Sequence, residues 1–423
     1  MNKIFNSIPL PTRAPDGEYD CGRGSYMLLW SDSSPDEFER LCGDITASGF
    51  RLFDRTDIEG SIHCTFAGKP VLHAWYCPCE RALRLTADPY TSLYNTAPER
   101  CERKYSNTLW QFEVDHSLID CGMCYIVRCC DGSFFVIDSA HMYSVNDDIR
   151  IIEFLRKLNG GAKPTVAGWF FSHGHEDHVA KFSDIVEFHS DEVDIETVYY
   201  NFPSYGHPDN EEWGECGKQV MHRFERELDK HPEIKKVRLH TGQRFFVRDL
   251  EFSVLCTHED IYPNPLSNFN DSSTAIMMTA DGCKVLFPGD CAAESDKVFL
   301  RRYHDALKCS VVQVSHHGHS GTSSEFYRRA GAECVLFPIT EIKFAEEWDK
   351  QEPNRVAVDI AKEYHIASNG TVEIPLPYSF GGTKRLPDET FEDFDGIFAL
   401  WCYEYTDEYK EKLRREFLER SKG

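Results

Sequence analysis

The densest run of reactive side chains in the sequence is Ser172–His178, "SHGHEDH". It sets His173, His175, Asp177 and His178 in the spacing H-x-H-x-D-H, directly after the apolar run "TVAGWFF". Imidazole and carboxylate are borderline ligands that suit zinc, iron or manganese. A tight turn at Gly174 can aim His173 and His175 at one ion. Asp177 and His178, opening the next helix, can aim at a second. A lone H-x-H pair on a solvated loop would mean little; four ligand-type residues within six positions, at a strand-to-helix turn, are far more specific. Two later apolar runs end in the same way. "KVLFPGD" delivers Asp290, and "SVVQVSHHGHSG" delivers His316, His317 and His319. Three strand ends thus present metal-type ligands, and sites in layered α/β proteins gather on loops at strand ends.

Those ends need a scaffold. "CYIVRCC" and "SFFVIDS" read as strands about an Asp131-Gly132 turn, and "DDIRIIEFLRKLN" as an amphipathic helix stopped by Gly160 and Gly161. "TVAGWFFS" is a strand, "VAKFSDIVEFH" a helix, "TVYYNF" a strand and "GKQVMHRFERELDKH" a charged helix. The strands "KKVRLH", "QRFFVRD", "EFSVLC", "TAIMMTA", "KVLFPGD", "SVVQVSH" and "CVLFPI" follow, with helical "SSEFYRRAGA" between the last two. This alternation predicts an α/β sandwich, sheets covered by helices, rather than a single doubly wound sheet. Ahead of it, "SYMLLW", "SIHCTFAG" and "KPVLHAWYC" read as strands, and "SSPDEFERLCGDITASGF" as a helix with Ser34 as N-cap and Gly49 as stop. They make a small α+β unit without a catalytic constellation, followed by "TAPERCERKYSNT" as a linker. The expected division is 1–105, 106–375 and 376–423, the last carrying the charged helix "TDEYKEKLRREFLER". The first unit is expected to supply no metal ligand.

Composition narrows the class. The chain has 423 residues and a formal net charge of -24. A surface that acidic repels phosphate backbones, so long nucleic acid is not an expected partner. No window approaches the roughly 18 apolar residues of a membrane span, and the N-terminus has no signal-peptide pattern. A cytoplasmic protein acting on a small molecule is expected. The 17 cysteines read as reduced thiols. Cys121 and Cys124, a CxxC pair, and Cys77 and Cys79 read as buried structural thiols.

Taken in order, "SHGHEDH", "NDSSTAI", "LFPGD" and "VSHHGHSG" resemble the motifs of the metallo-β-lactamase-fold hydrolases. They most resemble the branch that holds the hydrolase domain of DNA-uptake competence proteins and the phosphorylcholine esterases. The resemblance covers roughly residues 109–340. It implies an αββα sandwich and two divalent ions, zinc first, with manganese or iron as alternatives. It implies that His173 and His175 bind the first ion, that Asp177 and His178 bind the second, and that Asp290 bridges them. His316 or His317 would complete the second site. Many members give the first ion a third histidine from a glycine-histidine turn. That place holds "SNFNDSSTAI" here, so Asn270 or Asp271 stands where the histidine would be, and His258 is the only histidine nearby. Diiron flavoproteins of this fold typically carry Glu where His175 stands, which counts against that reading; mononuclear iron dioxygenases keep the same His/Asp motif and are not excluded by it, though they usually have the third histidine that is missing here.

The expected chemistry is metal-assisted hydrolysis. Bound zinc lowers the pKa of its water to about 7, and the resulting hydroxide attacks a phosphorus or carbonyl centre. Asp177 would orient that water or take its proton, and His317 or His319 would donate to the leaving group. Asp138 and His141, in "VIDSAH", are placed to orient a ligand histidine. Tyr205, His207 and Tyr262 are loop residues that can line a pocket. A phosphodiester is the first substrate by analogy with the resembling branch. A lactone or carboxylic ester is the alternative substrate, and a metal-binding interaction or sensor protein the non-enzymatic reading.

Overall fold

The computed structural model describes residues 2–117, 119–144, 146–206 and 214–387. His207 and the charged helix expected in "TDEYKEKLRREFLER" lie outside them. Among the described residues no helix is long and apolar enough to cross a membrane.

The chain begins with an antiparallel sheet of β1 (Gly17–Gly22), β2 (Ser25–Trp30), β3 (Arg51–Ile58), β4 (Ser61–Ala67), β5 (Val71–Cys77) and β6 (Ala82–Asp88), in the order β1-β2-β6-β5-β4-β3. Helix α1 (Pro35–Ala47) starts in a capping box, Ser34 with Glu37, and has Pro35 in its first turn. It lays Phe38, Leu41 and Ile45 on one face of the sheet. The strands missing from the sequence reading are β1, β3 and β6. β1 and β3 are the sheet's edges, and "RLFDRTDI" carries the charges that keep an edge from pairing further.

Two sheets then face each other. One contains β7 (Thr108–Gln111), β8 (Tyr125–Arg128), β9 (Phe134–Ile137), β10 (Thr165–Phe170), β11 (Asp194–Ile195), β12 (Thr197–Tyr200), β13 (Lys235–Arg238) and the late strands β21 (Val372–Pro375) and β22 (Lys384–Arg385). The other runs β14 (Arg244–Val247), β15 (Leu250–Cys256), β16 (Ala275–Ala280), β17 (Cys283–Phe287), β18 (Val311–Gln313), β19 (Cys334–Phe337) and β20 (Glu363–Ile366). β9, β10, β12 and β13 are parallel, joined by helices α2 (Asp147–Leu158), α3 (Glu176–Phe188) and α4 (Gly214–Asp229). β17 to β20 are parallel too, joined by α5 (Ala293–Arg302), α6 (Ser324–Ala330), α7 (Glu341–Trp348) and α8 (Glu352–Ile360).

Strands buried on both faces lack polar positions, and "FFVI" of β9 follows that rule. Phe135 and Ile137 point into the layer between the sheets, with Phe170, Phe245, Phe252 and Phe287. Phe134 and Val136 point outward under α2, α3 and α4, with Trp169, Ile151, Phe182 and Phe224. On the far side Leu286, Val312 and Val335 meet Phe299, Phe326 and Ala357 of α5, α6 and α8. Three apolar layers between four layers of structure are an αββα sandwich, as expected.

The first sheet is docked against this sandwich through buried polar groups. Arg238 donates to the carbonyls of Cys21 and Gly22 at 2.7 and 2.9 Å. Asp260 pairs with both Arg84 and Arg302. The stretch expected to be a linker is also tied down, Glu99 to Arg248 and Arg103 to Asp249 and Asp281. Its polar composition reflects those pairs.

Candidate metal centre

Open parallel sheets bind ligands beyond the carboxyl ends of their strands, and four such ends meet here. β9 leads to Asp138, β10 to His173 and His175, β17 to Asp290, and β18 to His316 and His317. His175 is the N-cap of α3, so Asp177 and His178 fall in its first turn. Gly289, at φ +60°, lets Asp290 turn in; a Cβ there would sit 2.8 Å from the Cβ of Ser172. His316 and His317 both have left-handed backbones, φ 50° and 55°. That conformation is uncommon outside glycine and is concentrated at functional sites.

Donor atoms of Asp177, His178, Asp290 and His317 all lie within 4.8 Å of one another, and all four residues are buried. His178 Nε2 is 3.2 Å from Asp290 Oδ2 and 3.5 Å from Asp177 Oδ2. His317 Nε2 is 2.9 Å from Asp177 Oδ2 and 3.3 Å from Asp290 Oδ2. That shorter distance is a hydrogen bond's, yet the ring nitrogen has no partner in hydrogen-bonding geometry, and neither has Asp290 Oδ1. His178 Nε2 bonds Asp290 Oδ2, but the two unpartnered atoms beside that bond leave the focus room for a cation among the four donors. His173 Nε2 lies alongside, 4.0 Å from Asp290 Oδ2 and 3.0 Å from His175 Nδ1.

The far sides of the rings are fixed. His178 Nδ1 faces Asp138 Oδ2 at 2.7 Å, and Asp138 in turn accepts from the backbone N–H and hydroxyl of Ser172, both at 2.8 Å. His317 Nδ1 donates to the carbonyl of Pro338 at 2.8 Å. Each partner leaves Nε2 to face the cluster, the arrangement that orients metal-bound histidines.

Charge points the same way. Burial alone would strip the proton from His178 and His317, but Asp290 and Asp177, with Asp138 for His178, outweigh it. His178 is raised well above its ordinary range and His317 to about 10. Burial works against the charge of Asp177 and Asp290 as well, yet the two histidines hold both carboxyls well below the usual range. The cluster is a buried pair of carboxylates compensated by protons on imidazoles. A divalent ion can stand in for those protons, and buried charge demands such compensation. Burial, with His178 and His175 nearby, holds His173 well below its ordinary value, so it is neutral with a lone pair to give. The donor set fits divalent metal.

A cleft of about 460 Å³ opens over the cluster, lined by His141, His175, Asn270, His316 and His319 among others. His316 stands apart from the four-residue focus, its Nε2 3.1 Å from Asn270 Nδ2. Of the two histidines left open by sequence, His317 is the one in the cluster. His319 is at the rim, a quarter exposed, and burial together with His317 and His316 lowers it to about 4.

Several expectations need correction. Asp271 is not brought to the cluster: its carboxylate accepts from the backbone N–H groups of Ala292, Glu294 and Ser295 at 3.0, 3.3 and 2.9 Å and so caps α5. His317 has Nδ1 on the Pro338 carbonyl and Nε2 turned into the cluster, so with an ion at the focus it would have no N–H for a leaving group. His258 bonds Asn201 at 3.1 Å instead of filling the vacant ligand place. Tyr205 bonds Glu225, and Tyr262 stacks on Tyr19 with ring centroids 4.2 Å apart; neither lines the cleft. Asp138 does hold a cluster histidine, His178, whereas His141 accepts from Tyr143 N at 2.9 Å and lines the cleft. Cys124 is core, but Cys121 lines the cleft, its Sγ 3.6 Å from Asp177 Oδ2. Ser172 and Pro338 carried no sequence signal, since a hydroxyl and a carbonyl act here through position alone.

The chain is an αββα sandwich with these motifs at its strand ends in this order, an arrangement that resembles the metallo-β-lactamase fold. No family model matches the chain, and no curated protein does. Solved structures with similar folds include the metallo-β-lactamase fold protein YhfI from Bacillus subtilis, 12% identical, covering 62% of this chain and 97% of its own, with a TM-score of 0.38. A diphosphatase of the PhnP family is 14% identical, with 55% and 86% covered and a TM-score of 0.33. Unliganded yeast PDE1 is 10% identical, with 64% and 99% covered and a TM-score of 0.40.

Proposed function

We propose that this protein is a metal-dependent hydrolase of a small phosphodiester or related phosphate ester. The observation that carries the reading is the convergence of Asp177, His178, Asp290 and His317 on one focus beneath an open cleft, with His317 Nε2 and Asp290 Oδ1 left unpartnered. Asp177, His178 and His317 would hold one ion, His173 and His175 another, and Asp290 would face both. Bound divalent ions supply the charge that polarises a substrate oxygen and acidifies water.

The chain's own residues do the rest. Asp138 and the Pro338 carbonyl keep the lone pairs of His178 and His317 aimed at the focus. Asp177 stays ionised and accepts a hydrogen bond from the attacking water. Asn270 donates to His316 Nε2, which places that ring's proton on Nδ1, a buried atom without a partner. His319, neutral at pH 7, offers an N–H at the rim of the cleft.

The cleft's size suits a small molecule. Among the described residues lining it there is no Lys or Arg. A singly charged diester therefore suits it better than a monoester or polyphosphate, whose extra charge would lack partners. The test is a substrate panel with zinc or manganese: bis(p-nitrophenyl) phosphate, p-nitrophenyl phosphate, a lactone and a β-lactam. Turnover of the diester above all others, abolished by chelation, is expected. Lactone turnover without diester turnover would move the reading to ester hydrolysis, and no turnover with any metal would remove the enzyme.

A further inference from the structure

A second convergence of ligand atoms lies where the N-terminal sheet meets the sandwich. His73 is on β5, Asp88 ends β6, and His240 follows β13. One donor atom from each lies within 4.8 Å of the others. The residues are 3%, 1% and 2% exposed, and His73 Nε2, His240 Nε2 and Asp88 Oδ2 have no hydrogen-bond partner. Three buried, unsatisfied polar atoms at one place require an occupant.

The opposite nitrogens of both rings are engaged. His240 Nδ1 is 2.8 Å from Glu259 Oε1. His73 Nδ1 is 3.3 Å from Thr65 Oγ1, Gln243 Nε2 and His63 Nε2; His63 Nδ1 donates to the Thr241 carbonyl, so its Nε2 can accept the His73 Nδ1 proton and leave His73 Nε2 its lone pair. His240 thus has a carboxylate behind it as His178 has Asp138, and its Nε2 lies 3.5 Å from Asp88 Oδ2. The two rings stack with centroids 3.9 Å apart. Arg238 Nε also lies 3.5 Å from Asp88 Oδ2.

We propose that His73, Asp88 and His240 bind one divalent ion of the zinc class, which ties the N-terminal sheet to the sandwich. Two imidazoles and a carboxylate suit zinc rather than magnesium or calcium, and leave a fourth position for water. Buried and away from the cleft, the ion is structural. The first 105 residues then do supply metal ligands, contrary to the expectation from sequence. His73 and Asp88 escaped notice because they lie on separate strands and are completed by a residue about 150 positions later.

The test uses crystals of the full chain grown with zinc and measured just above and just below the zinc absorption edge. An anomalous peak between His73, Asp88 and His240 is expected, and Asp290→Asn should keep it. His73→Gln should bind one zinc fewer per chain than the unmodified protein. Density at the junction that does not change across the edge, with zinc present in the candidate centre, would mean a water beside a protonated His240 and would overturn the proposal. Should His73→Gln fail to fold, the edge measurement on the unmodified chain decides alone. Zinc at the junction but none in the candidate centre would instead count against the hydrolase.

Discussion

Asp138→Asn tests how the centre is held together. Asp138 is fully buried, accepts two hydrogen bonds from Ser172 at 2.8 Å and faces His178 Nδ1 at 2.7 Å. An asparagine has one acceptor for three neighbours that need one. If its amide nitrogen faces His178, Nδ1 must accept and the ring's proton moves to Nε2, the atom 3.2 Å from Asp290. A protonated Nε2 has no lone pair for a metal. If the amide turns over, its N–H groups meet the backbone N–H of Ser172, and a buried donor loses its acceptor. Loss of such a support weakens metal affinity or activity by about 10–100-fold, which is about 1.4–2.7 kcal/mol. Competition with a chromophoric chelator measures zinc affinity, turnover at saturating zinc separates binding from chemistry, and circular dichroism checks the fold. Affinity within about twofold of the unmodified protein would refute the tautomer argument, since the expected loss starts at about tenfold.

Asp290→Asn should cut diester turnover by at least about a hundredfold, the size of effect seen when a key electrostatic group is removed, with the fold intact by circular dichroism; wild-type turnover would contradict a role at the focus. Asp271→Ala should leave metal content unchanged and destabilise the chain by about 0.5–2 kcal/mol, the range for a lost helix cap, read from urea unfolding; loss of metal would restore it as a ligand. Acid should destabilise the junction. Burial holds His63 at about 3 against an ordinary 6.5, so on acidification the unfolded chain takes up its proton first. Its contribution is complete above pH 6.5 and is lost as pH falls toward 3. Between pH 7 and 4.5 that loss is about 2.5 kcal/mol, and His63→Gln should be less acid-sensitive by that amount in urea unfolding; an unchanged pH dependence would show that His63 does not titrate this way.

Much of the centre was legible because its ligands sit in short motifs at strand ends. "SHGHEDH" holds four candidates in one turn, and Asp290 and His317 each follow an apolar run that could only be a strand. Choosing between His316 and His317 was beyond the sequence, because the choice depends on two left-handed residues in succession and on a carbonyl from the loop after β19. Asp271 misled for a similar reason. An aspartate near an expected ligand position and an aspartate capping a helix more than 20 residues later look alike in one dimension. The sandwich core announced itself through doubly apolar strands such as "FFVI", while the edge strands β1 and β3 did not, since edges carry charge. The junction was hidden altogether. Its groups, Arg84, Asp88, Arg238, His240 and Asp260, read as ordinary surface polar residues until the fold buries them against each other.

On the proposed reading, a divalent ion held at Asp177, His178, Asp290 and His317 is required for hydrolysis. The most direct measurement strips the full chain with a chelator, returns zinc stepwise, and follows bis(p-nitrophenyl) phosphate turnover together with zinc bound. The stripped chain should show no turnover, and activity should return as the centre fills, in the unmodified protein and not in Asp290→Asn. A stripped chain that hydrolyses the diester as fast as the reloaded one would contradict that reading.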